Sequence, residues 1–158
     1  NLYTVDDLEN TLHAMQDKID MLKKSASSKQ ARIKEVDELL RMVDYYKSGK
    51  PAADKLKSIR FEKSRQKYES EHDNELRTFY MAERKLKPYF KDGKLPITAW
   101  RKERAQLEQE YRDIQSELSP LHADAKKLWA IHYNIYEGQH EQERQNTELR
   151  QKKQEIEH

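Results

Sequence analysis

The chain has 158 residues, of which 38% are charged and 35% apolar, and its 31 Lys and Arg nearly balance its 29 Asp and Glu. Only three Gly and four Pro interrupt it and Cys is absent, which excludes a disulfide framework and a thiolate metal site. No apolar run is long enough for a membrane span and no signal-peptide pattern opens the sequence, so we expect no membrane and a cytoplasmic location. The start at Asn1 without Met favours an excised piece of a larger protein.

Two stretches of equal length carry the heptad spacing of a coiled-coil seam. One runs from Leu8 to Val43 and the other from Trp100 to Ile135, in steps that alternate between four and three residues. This pattern predicts one helix going out, a turnaround and one helix returning, with residue 43 facing residue 100. The predicted fold class is therefore all-α, a long antiparallel coiled-coil hairpin with a small helical turnaround at the tip.

The predicted parts form a single elongated helical unit over residues 1–158. They are coiled-coil arms at 4–47 and 98–137, a basic helical tip at 48–97 and a polar C-terminal helical extension at 138–158. The first arm is predicted to end at Gly49 and Pro51, because Gly favours the left-handed cap and Pro cannot continue the helix. Within the extension only Leu149 and Ile156 are apolar, so the seam fades there.

Charge is distributed unevenly along the chain. Residues 45–104 contain seventeen Lys or Arg and nine Asp or Glu. The rest of the chain contains fourteen Lys or Arg and twenty Asp or Glu. A basic segment between acidic arms indicates an anionic partner at that segment.

Nine cations in the tip are the candidate nucleic-acid-binding residues, because clustered Lys and Arg bind phosphates through counterion release. They are Lys55, Lys57, Arg60, Lys63, Arg65, Lys67, Arg84, Lys85 and Lys87. Aromatic residues are interleaved with them, including Phe61, Tyr68 and Phe79. Two interpretations stay open for these rings, since they either stack on unpaired bases or form the small core of the tip.

Signals for catalysis are absent from the sequence pattern. The three glycines are far apart, so no glycine-rich phosphate loop is present, and the six histidines show no metal-ligand spacing. We therefore predict no catalytic residue, no metal site and no cofactor, and we do not expect this chain to be an enzyme.

The tip carries a family resemblance. The string from Ile59 to Tyr68, IRFEKSRQKY, leads into a pattern with His72, Glu75 and Tyr80, and Leu95-Pro96 then precedes a charged helix. This order between two heptad arms resembles the helical region that follows the nuclease domain in mobilisation relaxases of Firmicutes plasmids and integrative elements. Those enzymes nick DNA with a tyrosine and a histidine-bound metal, and neither group is placed on this chain.

The resemblance implies a non-catalytic helical region of a conjugative mobilisation relaxase that contacts DNA, or other mobilisation proteins, near the nick site. The alternative is a coiled-coil spacer or protein-interaction module that binds no nucleic acid. A homodimer through the arms or through the C-terminal extension is left open.

Overall fold

The computed structural model describes residues 4–157, which are almost entirely helical. Helix α1 spans Val5–Ser58, α2 spans Glu62–Glu71, α3 spans Asp73–Leu86 and α4 spans Ile97–Glu157, with a single 3-10 turn at Lys87–Tyr89. No strand occurs among these residues, so the all-α class is confirmed. The ends of the predicted unit, at 1–3 and 158, lie outside the described residues.

The chain divides into two compact units, and α1 and α4 each contribute to both. The first unit contains residues 4–27 and 112–157, and the second contains residues 28–111.

In the first unit, α1 and α4 run antiparallel. Glu9 on α1 contacts His132 on α4, with 3.1 Å between carboxylate and ring nitrogen, whereas Lys18 contacts Glu117 at 3.2 Å. Seven seam residues are buried in this unit, namely Leu8, Leu12, Ile19, Ala26, Ile114, Leu118 and Ala125. The direction of pairing is as predicted, while these contacts lie up to about two helical turns from the predicted register.

Thr4 caps the start of α1. The Asp7 amide donates to the Thr4 hydroxyl at 3.1 Å, and the Thr4 amide donates to the Asp7 carboxylate at 3.2 Å. This reciprocal pair satisfies two amides at the start of the helix, as in a capping box.

The second unit holds two apolar clusters, one among α1, α3 and the start of α4 and the other between α1 and α3. One contains Val36, Met42, Val43, Ala82, Leu86 and Trp100, with the Phe90 ring packed against it. The other contains Ala52, Ala53, Leu56, Leu76 and Phe79, with Tyr68 against it. The Tyr46 ring contacts both clusters and stacks on Phe79 at a centroid distance of 5.0 Å. These clusters fix α3 along the last third of α1.

The predicted end of the first helix at Gly49 and Pro51 is wrong, because α1 continues through both residues to Ser58. Gly49 is buried where α3 crosses, and a Cβ there would lie 2.6 Å from the Phe79 Cβ. Gly49 therefore serves close helix packing rather than a left-handed cap. Pro51 removes one helical hydrogen bond, and the burial of Ala52, Ala53 and Leu56 immediately after it offsets that loss.

A two-residue turn connects the 3-10 segment to α4. Asp92 and Gly93 both have positive φ, at 52° and 74°, and Lys91 and Lys94 exchange two backbone hydrogen bonds of 2.9 Å. Positive φ at both central residues is characteristic of a type I′ turn. Residues 90–96 therefore form the connection that leads into α4.

Three charged or titratable side chains at seam positions each have an acidic partner on the opposite helix. In the second unit the Lys29 ammonium lies 2.7 Å from the Glu110 carboxylate, and Arg104 donates to Asp37. In the first unit His132 contacts Glu9. Polar groups at seam positions specify which residues face each other, because a shifted register would leave them unpaired.

Two glutamates on α4 have carboxyl pKa values below their usual range. The Arg32 guanidinium, 2.6 Å away, lowers the pKa of Glu103, and the Lys29 ammonium lowers the pKa of Glu110. In the unfolded chain the pKa of both carboxyls returns to about 4.5. Their contribution to stability is therefore present above that value and is lost as the pH falls through the lower folded pKa.

We expect the melting temperature to fall as the pH drops through the acid range below about 4.5, and only modestly because the pairs are partly exposed. Circular dichroism melts across this range measure the effect. The double variant Glu103→Gln and Glu110→Gln should show a shallower dependence. An identical dependence in the variant would assign acid destabilisation to other groups.

Candidate nucleic-acid interface

The nine candidate cations are all exposed, but the fold places them in two groups. Six lie around the end of α1 and on α2, and three lie at the end of α3 and in the 3-10 turn. Leu76, near the start of α3, packs in the same cluster as Leu56, whereas Leu86 packs with Val36 and Val43. The groups are therefore separated by most of the length of α3, about 20 Å for 14 residues.

We call the larger group the basic surface and define it as Lys55, Lys57, Arg60, Lys63, Arg65 and Lys67. Lys55 and Lys57 occupy the last turn of α1, and Arg60 lies in the short connection before α2. On α2, Lys63 and Lys67 are one turn apart and share a face. Within residues 4–157, none of the six has a carboxylate within 4.0 Å.

Four exposed acids, Asp54, Glu62, Glu69 and Glu71, are interspersed with or adjoin this surface in the sequence, and none of them lies within 4.0 Å of one of its six cations. At the junction of α2 and α3, Asp73 binds Arg77 at 3.1 Å, and Glu75 lies 3.7 Å from the His72 ring. The six cations are thus left with their positive charge uncompensated by short-range pairing. Such a surface attracts polyanions and releases their counterions on binding.

The smaller group, Arg84, Lys85 and Lys87, is less available to a ligand. The Lys85 ammonium lies 3.6 Å from the Glu38 carboxylate, so this cation already has an internal partner. Arg84 and Lys87 are exposed, but Glu83 lies beside them on α3 and lines a pocket together with Lys87. The structure therefore does not bring the nine predicted residues into one surface.

The aromatic residues divide between core and surface. Phe79 is buried, Phe90 packs against a core cluster, and Tyr68 is half-buried with the His72 ring 4.2 Å away. The Lys55 ammonium lies 6.0 Å from the centre of the Tyr68 ring, at the outer limit for a cation–π contact. The core interpretation is therefore correct for these three rings.

Phe61 differs from the other rings, because 78% of its surface is exposed. It occupies the extended residue before α2, between Arg60 and Glu62, with Lys63 two residues further on. No residue of α2 is buried, so the helix has no apolar face against which this ring could pack. An exposed ring among unpaired cations is suited to stacking on a base while the cations contact phosphates.

The nine predicted residues did not include Phe61. The feature of the sequence that indicates an exposed Phe61 is the composition of the following helix, EKSRQKYESE, where Tyr68 is the sole large apolar side chain. A helix without an apolar stripe cannot bury the ring that precedes it.

Two other kinds of feature, a metal centre and a membrane span, are not found among the described residues. No group of three or more His, Asp or Glu side chains is arranged to hold a metal ion within 4–157. None of the helices in that range has the length and apolar content required to cross a lipid bilayer.

Comparison with family models, curated proteins and solved structures found no match to this chain.

Proposed function

We propose that this chain is a non-catalytic, DNA-binding helical module that acts in the cytoplasm, and that the basic surface is its binding site. The observation that carries the proposal is the grouping of six exposed cations, without acidic partners in the described chain, around the solvent-exposed Phe61. The resemblance to the helical region of mobilisation relaxases supports DNA near a transfer nick as the ligand. In that setting a separate nuclease domain performs the cleavage and this module holds the flanking DNA or a transfer partner.

Reversing four charges on the basic surface should abolish DNA binding at physiological salt. The variant carries Lys57→Glu, Arg60→Glu, Lys63→Glu and Lys67→Glu, and fluorescence anisotropy of labelled DNA measures its affinity. All four positions are exposed, so helicity should be unchanged. Binding is lost because each neutralised phosphate contributes to counterion release, and glutamates repel the phosphates that remain.

A matched control applies the same change in charge to the first unit. Lys23, Lys24, Lys126 and Lys127 are also exposed cations, and their replacement by Glu should weaken binding much less. Equal losses in the two variants would mean that only net charge matters. Unchanged affinity in the first variant would exclude the basic surface as the site.

Replacing Phe61 by Ala should weaken binding of single-stranded DNA by about tenfold, because stacking on a base contributes roughly 1–3 kcal/mol. The ring is exposed, so the melting temperature should not change. Duplex DNA of the same length should lose less affinity, since its bases are already stacked. The same anisotropy assay with both DNA forms measures the difference, and equal losses would contradict base stacking.

The second candidate function is a coiled-coil spacer or protein-interaction module without nucleic-acid binding. One observation favours it, the exposure of three aromatic side chains on α4 of the first unit. Trp129, Tyr133 and Tyr136 are 43%, 61% and 51% exposed and share one helix face, and an exposed apolar patch of this kind is typical of a protein-interaction surface. Absence of DNA binding at physiological salt would favour this candidate.

A further inference from the structure

The last 21 described residues of α4, 137–157, extend beyond the part of the helix that α1 covers. Glu9 contacts His132, and the two helices are antiparallel. The first residue of α1, Val5, therefore lies opposite Tyr136 of α4. Every residue from 137 to 157 is exposed. An isolated helix of this length is marginal in water, because helical stability in proteins comes mainly from packing.

One of the two rows of seam positions nevertheless keeps apolar residues in this segment, whereas the other row, at Gln139, Asn146 and Lys153, is polar. Apolar residues recur every seven positions along α4 at Ile114, Leu121, Leu128 and Ile135, and then at Leu149 and Ile156. Only Gln142 interrupts the series. Ile114 is 9% exposed, whereas Leu149 and Ile156 are 64% and 84% exposed. The same stripe that packs in the first unit is thus unpartnered in 137–157.

Charge along the segment changes sign. Residues 137–148 contain four Glu and one Arg, whereas residues 150–157 contain three Lys or Arg and two Glu. An antiparallel pair of two such segments brings the acidic half of each against the basic half of the other. A parallel pair would instead bring the two acidic halves together, which is unfavourable for the like charges at its flanks.

We propose that residues 137–157 of α4 pair antiparallel with the same residues of a second copy of this chain. The second copy's segment then runs in the direction of α1 and continues its line, so each α4 is covered first by its own α1 and then by the second copy. This is a self-complementary, two-fold interface that closes as a dimer. It is independent of the proposed DNA binding.

The seam fixes the register of this pair. Placing Leu149 of each chain beside Asn146 of the other aligns Gln142 with Lys153 and Ile156 with Gln139. Glu143 on one helix then flanks Arg150 on the other, and the two-fold axis produces this ion pair twice. Four of the six seam residues per chain are polar in this register, namely Gln139, Gln142, Asn146 and Lys153, so the association is weaker than that of a fully apolar coil.

Exchanging the charges of Glu143 and Arg150 tests the proposal. The molecular mass of the full chain in solution is measured for each variant. The unmodified chain should reach twice the monomer mass at high micromolar concentration. Glu143→Arg alone, or Arg150→Glu alone, should shift the equilibrium toward monomer, and the double variant should restore the dimer. Both positions are exposed, so neither single variant should reduce helicity in the first unit.

Disulfide trapping distinguishes the two directions, and the absence of native cysteine makes the readout clean. Mixing the Gln142→Cys and Lys153→Cys chains should give the heterodimer between positions 142 and 153. Preferential 142–142 and 153–153 dimers would indicate a parallel pair and overturn the proposal. A monomer at every concentration would also overturn it and would assign the exposed seam to a different protein helix.

Discussion

Replacing Ile19 by Asp should strongly destabilise the first unit. Ile19 lies in the middle of the α1 seam and is 2% exposed. Removing a buried Ile side chain costs about 2–5 kcal/mol, and burying an unpaired carboxylate in its place adds to that cost. Because the free energy of unfolding of a whole domain is only about 5–15 kcal/mol, the expected loss is a large share of the total.

Circular dichroism measures this effect through the helical signal and its melting temperature. Met21→Asp is the matched control, because Met21 is on the same helix two residues away and is 64% exposed. Its melting temperature should stay close to that of the unmodified chain. Equal melting temperatures for the Ile19 variant and the unmodified chain would show that the seam is not packed as described.

Replacing Gly49 by Ala should destabilise the second unit, although Ala is normally the better helix former. The added Cβ would lie 2.6 Å from the Phe79 Cβ and 3.1 Å from the Glu75 carbonyl oxygen. The backbone of α3 cannot rotate away as a flexible side chain could, so the helices must move apart. Such overpacking typically costs about 1–3 kcal/mol.

Gly138→Ala is the opposite control within the same chain. A Cβ at Gly138 would meet no atom within 4 Å apart from the backbone of its own helical turns, and the residue lies inside α4. Ala should therefore increase helix stability there by roughly 0.5–1 kcal/mol. Thermal and urea melts of the two variants should shift in opposite directions, and a shift in the same direction would contradict the close crossing at Gly49.

The sequence pattern predicts the buried residues of the long helices well, because the heptad spacing depends only on local geometry. Leu12, Ile19, Val36 and Ile114 were all predicted seam residues, and all are buried. The error at Gly49 and Pro51 arises because breaker signals are local, whereas the packing of Leu56 and Phe79 that carries α1 onward is not.

The candidate site was only partly predictable. Sequence spacing places Lys63 and Lys67 on one helix face, but it cannot show that Lys85 lies beside Glu38, 47 positions away. It also cannot show that Phe79 is buried while Phe61 is exposed, because this depends on which helix α3 meets. Tertiary contacts therefore decide which of the predicted cations remain available to a ligand.

The salt dependence of DNA affinity tests the central claim most directly. If four to six cations of the basic surface contact phosphates, the logarithm of the association constant should fall linearly with the logarithm of salt concentration. For duplex DNA the expected slope is about −3.6 to −5.4, or about −0.9 per phosphate contact. Absence of binding at low salt, or a slope near zero, would contradict the assignment of the basic surface as a DNA site.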